Sequence, residues 1–219
     1  MSTSTVLLVE DHVVMRQGLK ALLDDEPDLE VIGEAGDGRE ALQLVARLRP
    51  TVVLLDIAMP HLNGIEAARQ IQQNFPEIKV VVLSMHATEE YVFQMLRAGA
   101  AGYVLKQSAS TEVLNAIRAA VAGQLFLSSA ISRQNLDDYF ERAAARGDQA
   151  DFDLLSSRER EVLQLLAEGH SNEAIAAELV ISVKTVEAHR VNMMRKLGVD
   201  NKVGLIRYAY RKGWASPDL

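Results

Sequence analysis

The sequence predicts an α/β domain followed by an all-α one. The first is a doubly wound, five-stranded parallel sheet of order 2-1-3-4-5, and the second a four-helix bundle with a helix-turn-helix. Three observations predict this. Short apolar runs alternate with segments of helical spacing across the first 125 residues. Carboxylates, a hydroxyl and an ammonium recur just after those runs, where such sheets bind ligands. Beyond residue 150 the apolar positions keep only the helical period, punctuated by Ser caps and Gly stops.

The apolar runs lie at 6–9, 31–32, 52–55, 80–83 and 103–105, and three are continuous, as strands covered on both faces should be. Val14, Leu19, Leu22 and Leu23 mark the first helix, and Ala41, Leu44, Val45 and Leu48 the second. Ile65, Ala68 and Ile71 mark the third, Val92, Met95 and Leu96 the fourth, and Val113, Ile117 and Val121 the fifth. Pro27, Pro50 and Pro76 stop three of these helices, and Gly99 and Gly123 the other two. The connector, 126–150, has room for a short helix around Leu136, Tyr139 and Phe140 and a joint near Gly147.

In the last part, 151–219, Ser156 and Glu159 form a capping box ahead of Val162, Leu163, Leu165 and Leu166, and Gly169 closes that helix. Ser171-Asn172 caps a short helix with Ile175, Ala176 and Leu179 inward. Ser182 caps a third, running to Leu197 before Gly198, and a fourth runs from Lys202 to about Lys212. Val186, His189, Met193 and Leu197 make the buried stripe of the third helix. Its other face presents Lys184, Glu187, Ala188, Val191 and Arg195, flanked by Thr185, Arg190 and Asn192.

Charge divides the chain in the same way. Residues 1–125 hold 10 basic and 16 acidic side chains, whereas 170–212 hold 8 basic and 4 acidic, the asymmetry of a control module joined to a nucleic-acid reader. The absence of cysteine excludes disulfides, thiolate metal sites and a cysteine nucleophile. The first residues lack the pattern of a signal peptide and no apolar run approaches bilayer-spanning length, so a soluble, cytoplasmic chain without a membrane partner is expected.

Glu10 and Asp11 follow the first strand, Asp56 the third, Ser84 the fourth and Lys106 the fifth. Converged carboxylates repel and call for a cation. Oxygen ligands without Cys or His point to Mg²⁺, and Lys106 adds a fixed charge for phosphate oxygens. The chemistry this suits is phosphoryl transfer to a carboxylate, with Asp56 as nucleophile.

Over residues 5–123 these features resemble the receiver domain of bacterial two-component response regulators, a flavodoxin-like fold. The resemblance is carried by Glu10-Asp11, Asp56 with Met59-Pro60 and Gly64, Ser84, and Tyr103 before Lys106. It implies that Asp56 accepts a phosphoryl group from a sensor histidine kinase. It further implies Mg²⁺ held by Asp11, Asp56 and the Ala58 backbone carbonyl, with Glu10 acting through water. Lys106 and the Ser84 hydroxyl would contact the phosphoryl oxygens, and Ser84 and Tyr103 would form the switch pair. Ala58 and His86 stand where receivers tune the lifetime of the phosphoryl group.

Residues 152–212 resemble a LuxR-type DNA-binding domain. The carriers are Leu155-Ser-Ser-Arg-Glu-Arg-Glu-Val162, Gly169, Asn172, Ile175-Ala176, Val183-Lys-Thr-Val-Glu-Ala-His189 and Lys196-Leu197. Together the two parts resemble the NarL/FixJ type of response regulator. That implies promoter DNA as partner, read by Lys184, Thr185, Glu187, Ala188, Arg190, Val191 and Arg195, and a homodimer on phosphorylation. Glu187 departs from the Lys that some relatives place there.

Two other classes compete. A haloacid-dehalogenase-type phosphatase also uses an Asp after a parallel strand, but needs a second Asp two positions on, where this chain has Ala58. The acceptor reading is of a protein that loses its phosphoryl group by self-hydrolysis and is not a turnover enzyme. A protein-binding bundle at the C-terminal end is the other rival, kept open by equal numbers of basic and acidic side chains over 150–219.

Overall fold

The structure, a computed structural model, describes residues 3–146, 154–211 and 214. The chain divides into two compact units, Met1–Leu136 and Asp137–Leu219.

The first unit runs β1 (Ser4–Val9), α1 (Val13–Asp24), β2 (Leu29–Ala35), α2 (Gly38–Leu48), β3 (Val52–Asp56), α3 (Gly64–Asn74), β4 (Lys79–Ser84), α4 (Glu89–Arg97), β5 (Gly102–Leu105), α5 (Ser110–Val121) and β6 (Phe126–Leu127). A further helix, α6 (Arg133–Arg146), contains the division between the units. All strands are parallel, in the order β2-β1-β3-β4-β5-β6. The doubly wound order 2-1-3-4-5 is present, but the sheet has six strands where five were expected. The sixth is a two-residue strand against Gly102 and Tyr103, too short to carry a period of its own. The joint expected near Gly147 lies outside the described residues.

The continuous apolar runs exist because both faces of the sheet are covered. Val6 and Leu8, Val52 and Leu54, and Val81 and Leu83 point to one face, where Leu19 and Leu23 of α1 and Val113 and Ile117 of α5 meet them. The intervening Leu7, Val9, Val53, Leu55, Val80 and Val82 are equally buried. Two markers of the helical periods instead face outward: Val14 is 83% exposed and Val121 43%.

Local signals end the helices as the sequence suggests. Asp37 caps α2 by accepting from the Arg39 and Glu40 amides, and Asn63 caps α3 through the Glu66 amide. Gly99 and Gly123 take positive φ just after α4 and α5. Gly64 matters most for the site. A Cβ there would lie 2.1 Å from the Asp56 carbonyl oxygen, and its amide donates to the Ile57 carbonyl at 2.9 Å. Only glycine lets α3 start against the end of β3.

The second unit packs α7 (Ser157–Ala167), α8 (Asn172–Leu179), α9 (Val183–Leu197) and α10 (Lys202–Arg211). The expected capping box is closed in both directions: the Glu159 amide donates to Ser156 Oγ at 3.2 Å, and the Ser156 amide to Glu159 Oε2 at 2.8 Å. Ser171 and Ser182 cap α8 and α9, and a left-handed Val180 makes the turn between them. Val162, Leu163, Leu165, Leu166, Ile175, Val186, Met193 and Leu205 are fully buried. His189 and Leu197, expected in the same stripe, are only half-buried, because the stripe rotates toward the solvent at its flank and at its last turn. Lys212 lies outside the described residues.

Two glycines of the first unit should respond oppositely to a methyl group. Gly64→Ala forces backbone atoms apart and should lower stability by about 1–3 kcal/mol. Gly18, exposed in α1 with nothing within 4 Å of a new Cβ, should gain about 0.5–1 kcal/mol as Ala. Urea unfolding of the full chain, followed by circular dichroism, reads both shifts.

Candidate functional site

Strand register builds the site. Val9 pairs with Leu55, so the next residues, Glu10 and Asp56, leave neighbouring strands at one level. Asp56 pairs with Leu83 and Ser84 with Leu105, which brings Ser84 and Lys106 to the same rim. Glu10 is fully buried, Asp56 is 2% exposed and Ser84 1%. Asp11 is half-buried at the mouth, and Met59 and Leu62 anchor the loop after Asp56 by burying their side chains.

Lys106 ties the carboxylates together. Its Nζ lies 2.7 Å from Asp56 Oδ2 and 3.0 and 2.8 Å from the two oxygens of Glu10. Burial pushes the Asp56 carboxyl up to about 6, with the negative charge of Glu10 adding to it and Lys106 and the Ala58 amide only partly offsetting it. For Lys106, burial favours the neutral amine, but Asp56 and Glu10 outweigh it and hold the ammonium above its ordinary range. The Ala58 amide donates to Asp56 Oδ1 at 3.3 Å.

The proposed switch residues also meet. The Ser84 hydroxyl accepts from the His86 amide at 3.0 Å, and the fully buried Tyr103 donates its hydroxyl to the His86 carbonyl at 2.7 Å. The His86 ring stacks on Tyr91 of α4, with centroids 4.3 Å apart. Burial drives the Tyr103 phenol well above its usual range, so it remains a donor at any physiological pH.

Sequence reasoning missed two neighbours. His12 directly follows the acidic pair and turns its ring back, Nδ1 lying 2.9 Å from Asp11 Oδ1 and 3.2 Å from Glu10 Oε1. Arg16, one turn on, donates to the Glu10 carbonyl at 2.6 Å. Adjacency was the available signal for His12, whereas Arg16 gave none. Beside these residues opens a cleft of about 600 Å³ with Val14, Met15 and Met85 on its walls. Glu10, Asp11, His12 and Asp56 each offer a ligand atom within 4.8 Å of the others, a set rich in hard oxygen that fits a divalent cation.

In the second unit, Lys184, Glu187, Ala188, Val191 and Arg195 of α9 are all exposed, Val191 at 60%. Two of the three flanking residues are engaged internally. Thr185 shares a hydroxyl contact of 2.8 Å with Ser182, and Arg190 donates to Asn172 Oδ1 at 3.1 Å. Both are half-buried.

Residues 6–118 match the family model of the response regulator receiver domain, and residues 153–209 that of the bacterial regulatory proteins of the luxR family. The chain belongs to the response regulators with a LuxR-type DNA-binding domain. The oxygen regulatory protein NreC of Staphylococcus epidermidis is 37% identical over 211 residues, covering 94% of this chain and 97% of its own. RcsB of Salmonella enterica serovar Typhimurium, solved bound to promoter rprA with phosphomimetic BeF₃⁻, is 28% identical with a TM-score of 0.59, over 94% of this chain and 98% of its own. A structure of two RcsB dimers on two parallel DNAs is 29% identical with a TM-score of 0.58, over the same shares. This response regulator is accordingly a phosphorylation-dependent, DNA-binding transcription regulator. No helix of its described residues is long and apolar enough to cross a membrane.

The raised Asp56 carboxyl has a thermodynamic consequence. The folded chain holds that proton up to about pH 6, whereas an unfolded Asp, at its ordinary 3.8, releases it near pH 4. Stability due to this group therefore falls as pH rises from about 4 to 6, by about 3 kcal/mol in all. Asp56→Asn removes the effect. Urea melts in EDTA should show the variant gaining on the parent through that window and keeping its lead above it.

Proposed function

We propose that Asp56 is the phosphoacceptor that controls this regulator. The observation that carries the reading is the buried triad in which Lys106 lies 2.7 Å from Asp56 and 2.8 Å from Glu10. A sensor histidine kinase is the donor. A carboxylate oxygen of Asp56 attacks phosphorus, the P–N bond of the donor's phosphohistidine breaks as the P–O bond forms, and the imidazole leaves with its proton. Asp11, Asp56 and the Ala58 carbonyl would hold Mg²⁺, with Glu10 one water further out. When bound, that ion offsets the charge gathering on the phosphoryl oxygens.

The side chains divide the remaining work. Lys106 exchanges its contact with the free carboxylate for one with a phosphoryl oxygen. Ser84 turns its hydroxyl toward another, giving up the His86 amide. Tyr103, already inward and bonded to the His86 carbonyl, fills the space behind. Movement of this loop biases α4 and β5 between two arrangements. The phosphoryl group is later lost to water, so the chain acts as an acceptor and not as a turnover enzyme.

The DNA reader is the exposed face of α9. Lys184 and Arg195 meet phosphates, while Glu187, Ala188 and Val191 face base edges, where Glu can accept from cytosine N4 and apolar groups can meet a thymine methyl. Thr185 and Arg190 stand at the flank, and Arg190 must leave Asn172 to reach DNA. Residues 1–125 act as receiver, 126–150 as connector and 151–219 as reader, with dimers binding paired half-sites. RcsB dimers on DNA support that arrangement by kinship.

Selection from a randomised duplex library, with and without Mg²⁺–beryllofluoride, tests the proposal. Enrichment of a two-fold symmetric site should strengthen with the mimic in the parent chain and stay unchanged in Asp56→Asn. Equal enrichment in all arms would remove Asp56 from control of DNA binding. On the site so found, Lys184→Ala and Arg195→Ala should each reduce the slope of log affinity against log salt by about 1. Glu187→Ala should instead change which sequence is preferred.

A further inference from the structure

We propose that Ser128 and Glu112 are positioning residues for the phosphoacceptor site: together they fix the end of β5 and so hold Lys106 in register with Asp56. The proposal rests on the reading of Asp56 as phosphoacceptor. It adds two residues which that reading does not use, one of them from the connector.

β5 runs out of backbone partners on one side before it reaches the site. On the β4 side the Lys106 amide donates to the Ser84 carbonyl at 2.8 Å, so pairing there continues to the rim. On the other side β6 pairs only with Gly102 and Tyr103. The Ser128 amide adds one more bond, donating to the Tyr103 carbonyl at 2.9 Å. In a parallel ladder the Ser128 carbonyl would then accept from the Leu105 amide. It accepts instead from the Ile131 amide at 2.9 Å, as the chain turns away. The Ser128 hydroxyl takes its place, accepting from the buried Leu105 amide at 3.0 Å. Ser128 therefore holds β5 at two points, the residue that carries the Tyr103 ring and the one that precedes Lys106.

Its hydroxyl is oriented by its other partners. The one proton goes to Glu112 Oε2, on the first turn of α5. That leaves the lone pairs for the Leu105 amide and for the Ser108 hydroxyl, 3.2 Å away. Glu112 is fixed in turn by Ser129, whose hydroxyl and amide donate to Oε1 at 2.6 and 3.2 Å. The hydroxyl bonds of Ser128 and Ser129 hold the Glu112 carboxyl down to about 2, so at physiological pH it only accepts. Ser128 is buried, and bulk water cannot replace either partner. The backbone bonds of Phe126 and Ser128 already fasten β6 to β5, whereas the hydroxyl reaches the peptide next to the lysine. Lys106 Nζ lies 2.7 Å from Asp56 Oδ2, and a misplacement of about 1 Å at a reacting centre can cost about a hundredfold in rate.

Phosphorylation of the full chain by acetyl phosphate, followed over time on phosphate-retarding gels across a range of MgCl₂, tests this without a kinase surface. Asp56 attacks phosphorus and acetate leaves. Ser128→Ala should lower the rate at saturating Mg²⁺ at least about tenfold. Its half-saturating Mg²⁺ concentration should stay within about twofold of the parent, because Asp11, Asp56 and the Ala58 carbonyl are untouched. Glu112→Gln, which keeps the shape but frees the Ser128 hydroxyl, should slow the reaction in the same way by a smaller factor. It decides the question alone if Ser128→Ala proves unfolded by circular dichroism. Either folded variant reacting at the parent's rate would overturn the proposal. So would slowing that extra Mg²⁺ abolishes, since the defect would then lie in the cation site and not at Lys106. A parent chain that takes up no phosphoryl group, or no more than Asp56→Asn does, would instead remove the acceptor reading itself.

Discussion

Two carboxylates buried side by side at the ends of neighbouring strands, with a single ammonium between them, set the terms for the rest of the receiver unit. Glu10 and Asp56 are almost wholly removed from water, and a charge so placed costs several kcal/mol unless it is paired and hydrogen-bonded. Lys106 pairs with both and fully satisfies neither, so the Asp56 carboxyl remains raised to about 6 despite a cation at 2.7 Å. Such a centre gains from any change that adds positive charge or spreads negative charge outward. A divalent cation does the first, and a phosphoryl group, which moves charge from the buried oxygen to three outer ones, does the second. The sheet exists in this form to hold that imbalance: parallel register puts the carboxylates level, and the α3 start at Gly64 closes against the Asp56 backbone.

A second constraint carries the state of this centre outward. His86 serves three groups at once: its amide holds the Ser84 hydroxyl, its carbonyl receives the Tyr103 hydroxyl, and its ring lies on Tyr91 of α4. If Ser84 turns toward the site, the His86 amide loses its acceptor and the peptide must adjust. That adjustment is felt at both Tyr103 and α4 because one backbone unit connects them. In the proposed switch this chain of hydrogen bonds takes two arrangements, which is what coupling between distant sites requires.

How much of this could be read in the sequence depends on which forces wrote it. The five main strands were legible because burial on both faces demands unbroken apolar runs, and the chemical rim was legible because it follows strand ends. β6 was not, since two residues carry no period and its pairing is fixed by tertiary contacts, chiefly Ser128. The Ser128 amide donates to the Tyr103 carbonyl at 2.9 Å and its hydroxyl to Glu112, whose carboxyl falls to about 2 through the Ser128 and Ser129 hydroxyl bonds. Val14 fits a helical stripe by spacing but stands at the open mouth of the cleft, so its exposure reflects the site and not the core. His12 went unread because a histidine beside two acids looks like ordinary surface, and only the fold shows its ring turned back onto the two carboxylates. In the reader, the caps were legible to the residue, and so was the apolar core except at His189 and Leu197, which are only half-buried. The internal use of Arg190 was not, because a basic side chain near a recognition helix looks the same whether it faces DNA or Asn172.

That last ambiguity bears on how the reader can be controlled. Several of its basic groups are spent inside the unit: Arg158 on the Leu179 carbonyl and Glu161, Arg160 on the Leu155 carbonyl, Arg190 on Asn172, and Lys196 on Glu159 at 2.7 Å. They fasten the helices to one another, which keeps the turn rigid but lowers the positive charge offered to phosphates. Each phosphate contact forgone removes a share of the counterion release that drives non-specific binding. Fewer phosphate contacts make the hold of a single reader on DNA weaker than it would otherwise be. Two readers joined across paired half-sites act at an effective concentration that can multiply affinity a hundredfold or more. Under the proposed control by Asp56, weak monomeric binding would let a modest shift in pairing become a large change in occupancy of a promoter. A reader with all its arginines turned outward would bind whether or not it was paired, and the switch would have nothing to control.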